Sequence, residues 1–244
     1  MQDSDPRTPE DATKYFMTLQ SEPSSLYEFN SKEAFRNKVV TRTYELPFKF
    51  DGNSHAMIAS SFYFNQYGTN KLIKYSLVNN TTEYRIFEDA SFKPANHTLY
   101  ETQHNYMDIC VDENGLWVIY SSNHTNNTLI VKLAPDSLKI ENVWNLTLDN
   151  TMMGEMFIAC GVLYGLESTS DIFTKIRFAF DLYLNTPIDV SVNFTNPFKN
   201  NNLISYNPRS EQIYAWDAKN LIEYPIRFLD EGKINSESND DGND

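Results

Sequence analysis

Apolar and polar positions alternate in short runs along most of the chain, and the pattern is clearest between Asn105 and Leu166. NYMDICVDENGLWVIYSSN, TLIVKLAPDSLKIENVWNLTL and GEMFIACGVLYGLES each read as strand segments. Ile119, Val131 and Ile158 sit in apolar runs rich in β-branched and aromatic residues, and polar turns bound those runs. Asn114-Gly115 falls between two runs and suits a tight hairpin turn, because both residues tolerate positive φ. Pro135-Asp136 marks the next turn, and Cys160-Gly161 interrupts the last strand pair. The centre of the chain is therefore expected to be an antiparallel meander.

The same alternation extends to both sides. KYFMTL, LYEFNSKEAF and VVTRTYELPF read as strands, with one helical turn at SKEAF capped by Ser31 and a stop at Pro47. HAMIASSFYFN and KLIKYSLV read as a hairpin turning at Gly68-Thr69-Asn70, and EYRIFEDASF follows as one more strand. RFAFDLYL, PIDVSVNF, LISYNP, EQIYAWD and LIEYPIRF complete the series. Many short strands at a spacing of about ten residues, without a long helix, suit a sandwich, a barrel or a propeller. NKLIKYSL, NTLIVKLA and EQIYAWDAKNLIEYPI resemble one another at intervals of about 50 residues, as paired outer strands of propeller blades would.

Composition narrows the class. Hydrophobic residues make up 41% of the 244, with 15 Tyr and 16 Phe, which is enough to bury a core. Trp117, Trp144 and Trp216 fall in strand patterns and read as core, and the group Met152, Met153 and Met156 reads as packing. The net charge of −13 repels phosphate backbones and argues against nucleic acid as a partner. No run approaches the roughly 18 apolar residues of a membrane span, so direct membrane insertion is not expected. The opening MQDSDPRTPEDATK is polar and does not read as a signal peptide. Residues 1–11 read as a loose lead-in, 12–229 as one domain and 230–244 as a disordered acidic tail. Sequons at Asn79, Asn80, Asn96, Asn123, Asn126, Asn145 and Asn193, most of them in expected turns, favour a glycosylated chain exposed to the secretory pathway.

Two carboxylates stand out. Asp108 lies inside the apolar run YMDICV, where an unpaired charge is costly and calls for a cation or a hydrogen-bond network. Glu155 opens the run GEMFIACG. Asp112 and Glu113 flank the Asn114-Gly115 turn and read as solvated. His55, His97, His104 and His124 are scattered, and neither H-E-x-x-H nor G-x-S-x-G occurs. His104, four residues before Asp108, is the one feature that favours catalysis.

VDENGLWVIYS, IVKLAPDSLKIENVWN, GEMFIACGVLY, PFKNNNLISYNPRSEQIYAWD and YELPFKFDGNSHAM occur in the chain and together resemble the olfactomedin domain family over residues 12–228. That resemblance implies an all-β, five-bladed β-propeller acting as an extracellular, non-catalytic module in matrix organisation, cell adhesion or receptor binding. Its partners would be extracellular or cell-surface proteins. It also implies a Ca²⁺ site in the propeller channel. By motif, Asp108 matches one carboxylate ligand, Glu155 stands where Asn is usual, and Ser205 stands where a second Asp is usual. Met156 and Ile204 would supply carbonyls. The departures at Glu155 and Ser205 conserve two negative charges, and calcium accepts flexible oxygen geometry. The rival arrangement pairs Glu155 with Arg177 or Lys175 in a metal-free channel. Cys160 matches the cysteine that closes a disulfide to an N-terminal Cys-Gly pair in the family, a pair this chain does not contain. Cys110 reads as a small buried hydrophobe, with a Cys110–Cys160 bridge as the lesser alternative. The alternative function is a calcium-dependent propeller hydrolase of the esterase or lactonase type.

Overall fold

The computed structural model describes residues 1–94, 98–125 and 127–226. Nineteen strands form five antiparallel sheets among the described residues. Tyr15–Leu19 (β1), Glu22–Phe29 (β2) and Arg42–Glu45 (β3) make the first sheet, with the short helix Lys32–Arg36 (α1) between β2 and β3. Phe50–Ile58 (β4), Ser61–Gln66 (β5), Lys71–Ser76 (β6) and Thr82–Ile86 (β7) make the second. Met107–Asp112 (β8), Gly115–Ser121 (β9), Asn127–Leu133 (β10) and Ile140–Asp149 (β11) make the third. The fourth holds Glu155–Ala159 (β12), Val162–Leu166 (β13) and Phe173–Asp181 (β14), with Thr186–Ile188 (β15) and Val192–Thr195 (β16) both paired to β14. Asn201–Asn207 (β17), Gln212–Asp217 (β18) and Asn220–Pro225 (β19) make the fifth. Strands β4, β8, β12 and β17 meet around a common axis. The molecule is an all-β, five-bladed β-propeller.

Local chemistry explains most of these elements. Ser31 caps α1 through its hydroxyl, which accepts from Ala34 N at 3.1 Å. Cys160 and Gly161, at φ 52° and 77°, make the tight turn between β12 and β13. A side chain at Gly161 would come within 2.6 Å of the Tyr183 ring. Three readings change. HAMIASSFYFN is two strands, because Ala59 and Ser60 both adopt left-handed φ and reverse the chain. The β8–β9 turn residues are Glu113 and Asn114, with Gly115 opening β9 at φ 121°. EYRIFEDASF contributes a strand only as far as Ile86.

Residues 1–11, read as a loose lead-in, contain ordered pairing. Phe16 N donates to Met1 O at 2.8 Å, and Asp3, 2% exposed, bridges Met57 in parallel. The acidic tail, 230–244, lies outside the described residues.

Among the described residues, apolar clusters fill four of the five seams between neighbouring sheets. Leu26 and Tyr44 meet Phe62 and Ile73 between the first and second sheets. Tyr63 and Leu72 meet Val118 and Val131 between the second and third. Trp117 and Ile130 meet Met156 and Leu163 between the third and fourth, and Phe157 and Ile176 meet Tyr206 and Ile213 between the fourth and fifth. The seam between the fifth and first sheets instead borders a cavity of about 930 Å³. Polar contacts cross it, including Lys32 Nζ to Glu223 Oε1 at 2.6 Å.

Candidate functional site

The inner strands carry a cluster of buried polar groups at one level of the channel. Alternation along β8 puts Ile109 in the core shared with the second sheet and Cys110 in the core shared with the fourth. Asp108 shares the Cys110 side and is 2% exposed. Its Oδ2 accepts from the Tyr100 hydroxyl at 2.6 Å, and its Oδ1 accepts from the Ser54 hydroxyl. Ser54 Oγ in turn accepts from Ile109 N at 2.7 Å.

Ser54 reaches this position through an irregularity in β4. The β4–β5 register shifts between Asp51 and Ala56, so the intervening residues bulge from the ladder. Gly52, at φ 73°, sits so close to Asn105 that a Cβ there would lie 2.3 Å from Asn105 Oδ1. Asn105 Oδ1 holds the bulge by accepting from Asn53 N at 2.8 Å.

Glu155 opens β12 and is fully buried. Thr102 Oγ1 donates to its Oε1 at 2.9 Å, whereas Oε2 is buried with no hydrogen-bond partner. Burial, with the charge of Asp108 adding to it, pushes the Glu155 carboxyl well above the usual carboxylate range. Burial also raises Asp108, against the opposing hydrogen bonds from Ser54 and Tyr100. Burial first, and then the two carboxylates, raise the Tyr100 hydroxyl far above its ordinary value, so it stays a donor. The structure thus joins Asp108 and Glu155 in one electrostatic unit with Ser54, Tyr100 and Thr102.

The other metal-site candidates divide. The Met156 and Ile204 side chains are buried in flanking cores, leaving their backbones at the inner strands. Ser205 lines the seam cavity together with Gly52 and Asn53. The donor set is hard oxygen, and the orphaned Glu155 Oε2 asks for a positive partner, so the residues fit Ca²⁺. No group of three His, Cys, Asp or Glu converges among the described residues, so any bound cation would need carbonyl, hydroxyl or water oxygens to complete its shell. The rival cations are elsewhere: Arg177 Nε lies 3.5 Å from Glu167 Oε2, and Lys175 Nζ lies 3.3 Å from Ser191 Oγ. His104 is exposed and is among the residues that line the seam cavity.

Asp112 departs from its reading as a solvated group, whereas Glu113 is exposed as expected but hydrogen-bonded. Asp112 is 3% exposed and accepts from Trp117 Nε1 at 2.6 Å and from Gly161 N at 2.7 Å. Glu113 is partly desolvated, which alone would raise its carboxyl. Bonds from the Tyr206 hydroxyl and Cys160 N bring it below its usual value. Together they fasten the third sheet to the fourth. Cys110 is buried and Cys160 exposed, and both are free thiols. Trp117 is core as expected, Trp144 packs against it at 5.5 Å between ring centroids, and Trp216 lines the cavity. Among the three methionines, Met156 is buried and Met152 is 73% exposed.

Asn79, Asn80, Asn123, Asn145 and Asn193 are all exposed. Asn145 and Asn193 stand on β11 and β16 rather than in turns. Asn96 and Asn126, like His97, lie outside the described residues. No helix among the described residues is long and apolar enough to cross a membrane.

The chain is similar to myocilin from Oryctolagus cuniculus, 27% identical over 238 residues, which is 93% of this chain and 47% of that protein. It is 26% identical to myocilin from Rattus norvegicus over 211 residues, 83% of this chain and 41% of that protein. It is 30% identical to the adhesion G protein-coupled receptor L1 of Homo sapiens over 220 residues, 84% of this chain and 14% of that protein. The chain thus spans about half or less of these relatives. The olfactomedin-like domain profile matches residues 1–231. Match and architecture agree: this chain belongs to the olfactomedin-like domain family.

Proposed function

We propose that this propeller is a non-catalytic extracellular module that binds extracellular or cell-surface proteins in matrix organisation, cell adhesion or receptor recognition. The observation that carries the reading is the family match over residues 1–231, with an adhesion receptor among the relatives. Five exposed sequons are consistent with passage through the secretory pathway and with glycans at those positions. The physical role is that of a rigid scaffold presenting its inter-strand loops.

We further propose that Ca²⁺ sits in the channel, held by the Asp108 and Glu155 carboxylates, the Met156 and Ile204 carbonyls and the Ser205 hydroxyl. The ion would neutralise two buried carboxylates and tie β8 to β12 and β17. Ser54, Tyr100 and Thr102 orient the carboxylates from outside that shell.

A secreted, glycosylated form of the domain, titrated against an array of cell-surface ectodomains, tests the reading. Saturable binding to at least one ectodomain is expected, with glycan mass at the exposed sequons. Absence of binding, together with ester or lactone turnover lost in Asp108→Asn, would replace it with the hydrolase.

A further inference from the structure

Phe173 is 82% exposed, more than any other large apolar side chain among the described residues. It opens β14 and pairs with Thr195 of β16, and Lys175 pairs with Asn193. The residues between them turn the other way. Thr174 is buried, and Ile176 and Phe194 belong to the core shared with the fifth sheet. Successive side chains of a strand take opposite faces, so Phe173, Lys175, Asn193 and Thr195 all stand on the face turned away from that core. Phe173 and Asn193 are diagonal neighbours on this face, a relation that sets side chains about 7–8 Å apart and within reach of an aromatic ring.

Asn193-Phe194-Thr195 is an N-x-T sequon, so its acceptor amide and its threonine both share the face of Phe173. The Asn193 side chain is exposed, and no hydrogen bond engages it among the described residues. Other sequons are engaged. Asn79 Oδ1 accepts from the Thr81 hydroxyl at 2.7 Å, Asn80 Oδ1 from the Tyr75 hydroxyl at 3.0 Å, and Asn145 Oδ1 from Asn127 Nδ2 at 2.7 Å. Lys175, directly opposite Asn193, donates from Nζ to Ser191 Oγ at 3.3 Å. Ser191 lies on the far side of Asn193 from Thr195, so the lysine leans away from Phe173.

We propose that Asn193 carries an N-linked oligosaccharide whose first N-acetylglucosamine lies on the Phe173 ring, so that the glycan covers this apolar side chain. The inference rests on the reading of the chain as a secreted glycoprotein and names one site and one contact within it. The donor is an oligosaccharide linked to a lipid diphosphate. Asn193 Nδ2 attacks C1 of its first sugar: the N–C1 bond forms, the C1–O bond breaks, the lipid diphosphate leaves and the amide proton passes to a base of the transferase. A pyranose ring presents C–H groups on one face, and these meet the negative face of an aromatic ring favourably. A protein docking on Phe173 would collide with a glycan at Asn193, whereas the first sugar reaches the ring from the neighbouring strand.

The test secretes the chain from a eukaryotic host as the parent, Phe173→Leu, Asn193→Gln and the double variant, with occupancy of each sequon read by mass spectrometry of glycopeptides. A glycan at Asn193 is expected in the parent and in Phe173→Leu. Asn193→Gln should lower Tm by about 2–4 °C in the parent and leave it unchanged in the Phe173→Leu background, a cycle that isolates the contact. The first sugar's protons should show an upfield ring-current shift in the NMR spectrum, lost in Phe173→Leu. An empty Asn193 beside glycans at other sequons would overturn the proposal alone, and absence of glycan from every sequon would overturn the secretory reading with it. An equal Tm loss in both backgrounds, or no ring-current shift, would show a glycan that misses the ring and overturn the contact. Binding of a cell-surface ectodomain that is lost in Phe173→Leu and kept in Asn193→Gln would give the ring to a protein partner and overturn the proposal as well.

Discussion

The seam between the third and fourth sheets and the seam between the fifth and first are built from similar sequence, yet one is filled and the other is hollow. In the filled seam Trp117, fully buried, packs with Ile119 and Ile130 against Met156, Ile158 and Leu163. Its margin is sealed by Asp112, which serves Trp117 Nε1 and Gly161 N together. In the hollow seam Trp216 occurs in the same kind of alternating run, QIYAWD, but lines a cavity of about 930 Å³. The difference lies in the inner edge. β8 and β12 each stand at the inner edge of their sheets, whereas β1, among the described residues, pairs with β2 on one side and meets Met1 through Phe16 on the other.

Truncation of the two tryptophans breaks the comparison most directly. Trp117→Ala should cost about 3–5 kcal/mol in urea unfolding, the range for removing a large buried aromatic. Trp216→Ala should cost under about 1 kcal/mol, because the cavity already deprives that side chain of neighbours. Equal costs would erase the distinction between the seams.

His55 gives a sharper probe of the hollow seam. Burial holds its imidazole at about 3, against an ordinary 6.5, so the folded state keeps it neutral. The unfolded chain binds the proton first. Stability from this group is therefore complete above 6.5 and is lost as pH falls toward 3. The slope reaches about 1.4 kcal/mol per pH unit. Chemical denaturation at several pH values should show that His55→Phe loses less stability on acidification than the parent. The other titrating groups are common to both proteins, so an identical acid limb would show that His55 is not buried neutral.

The smallest effect belongs to the ion pair across the seam. Lys32 and Glu223 are 40% and 25% exposed, and Lys32→Ala should cost no more than about 1 kcal/mol and be masked by salt. A larger, salt-insensitive loss would make this pair the true fastening of the hollow seam.

Much of the architecture is legible in the alternation of residues, because each strand buries one face and turns at polar punctuation. Ala59-Ser60 is not legible. Neither residue favours left-handed φ, and the turn is held by Asp3, 56 and 57 residues away. Asp112 looks solvated beside its hairpin and becomes buried only because Gly161, 49 residues on, folds against it. Asp108 is legible as a misplaced charge in an apolar strand. Glu155 gains meaning from the family resemblance. Ser54, Tyr100 and Thr102 carry no motif of their own, and only assembly of neighbouring blades brings them to the carboxylates.

The most direct measurement is thermal unfolding of the domain in excess EDTA and in millimolar Ca²⁺, for the parent, Asp108→Asn and Glu155→Gln. An ion bound only by the folded state adds RT ln(1 + [L]/Kd), about 2.7 kcal/mol at a hundredfold excess over Kd. The cation reading predicts a clear rise in Tm for the parent and none for either variant, with all three unfolding cooperatively. An unchanged Tm in the parent, or an equal rise in the variants, would contradict it. The buried pair would then be held by its hydrogen bonds and by proton uptake alone.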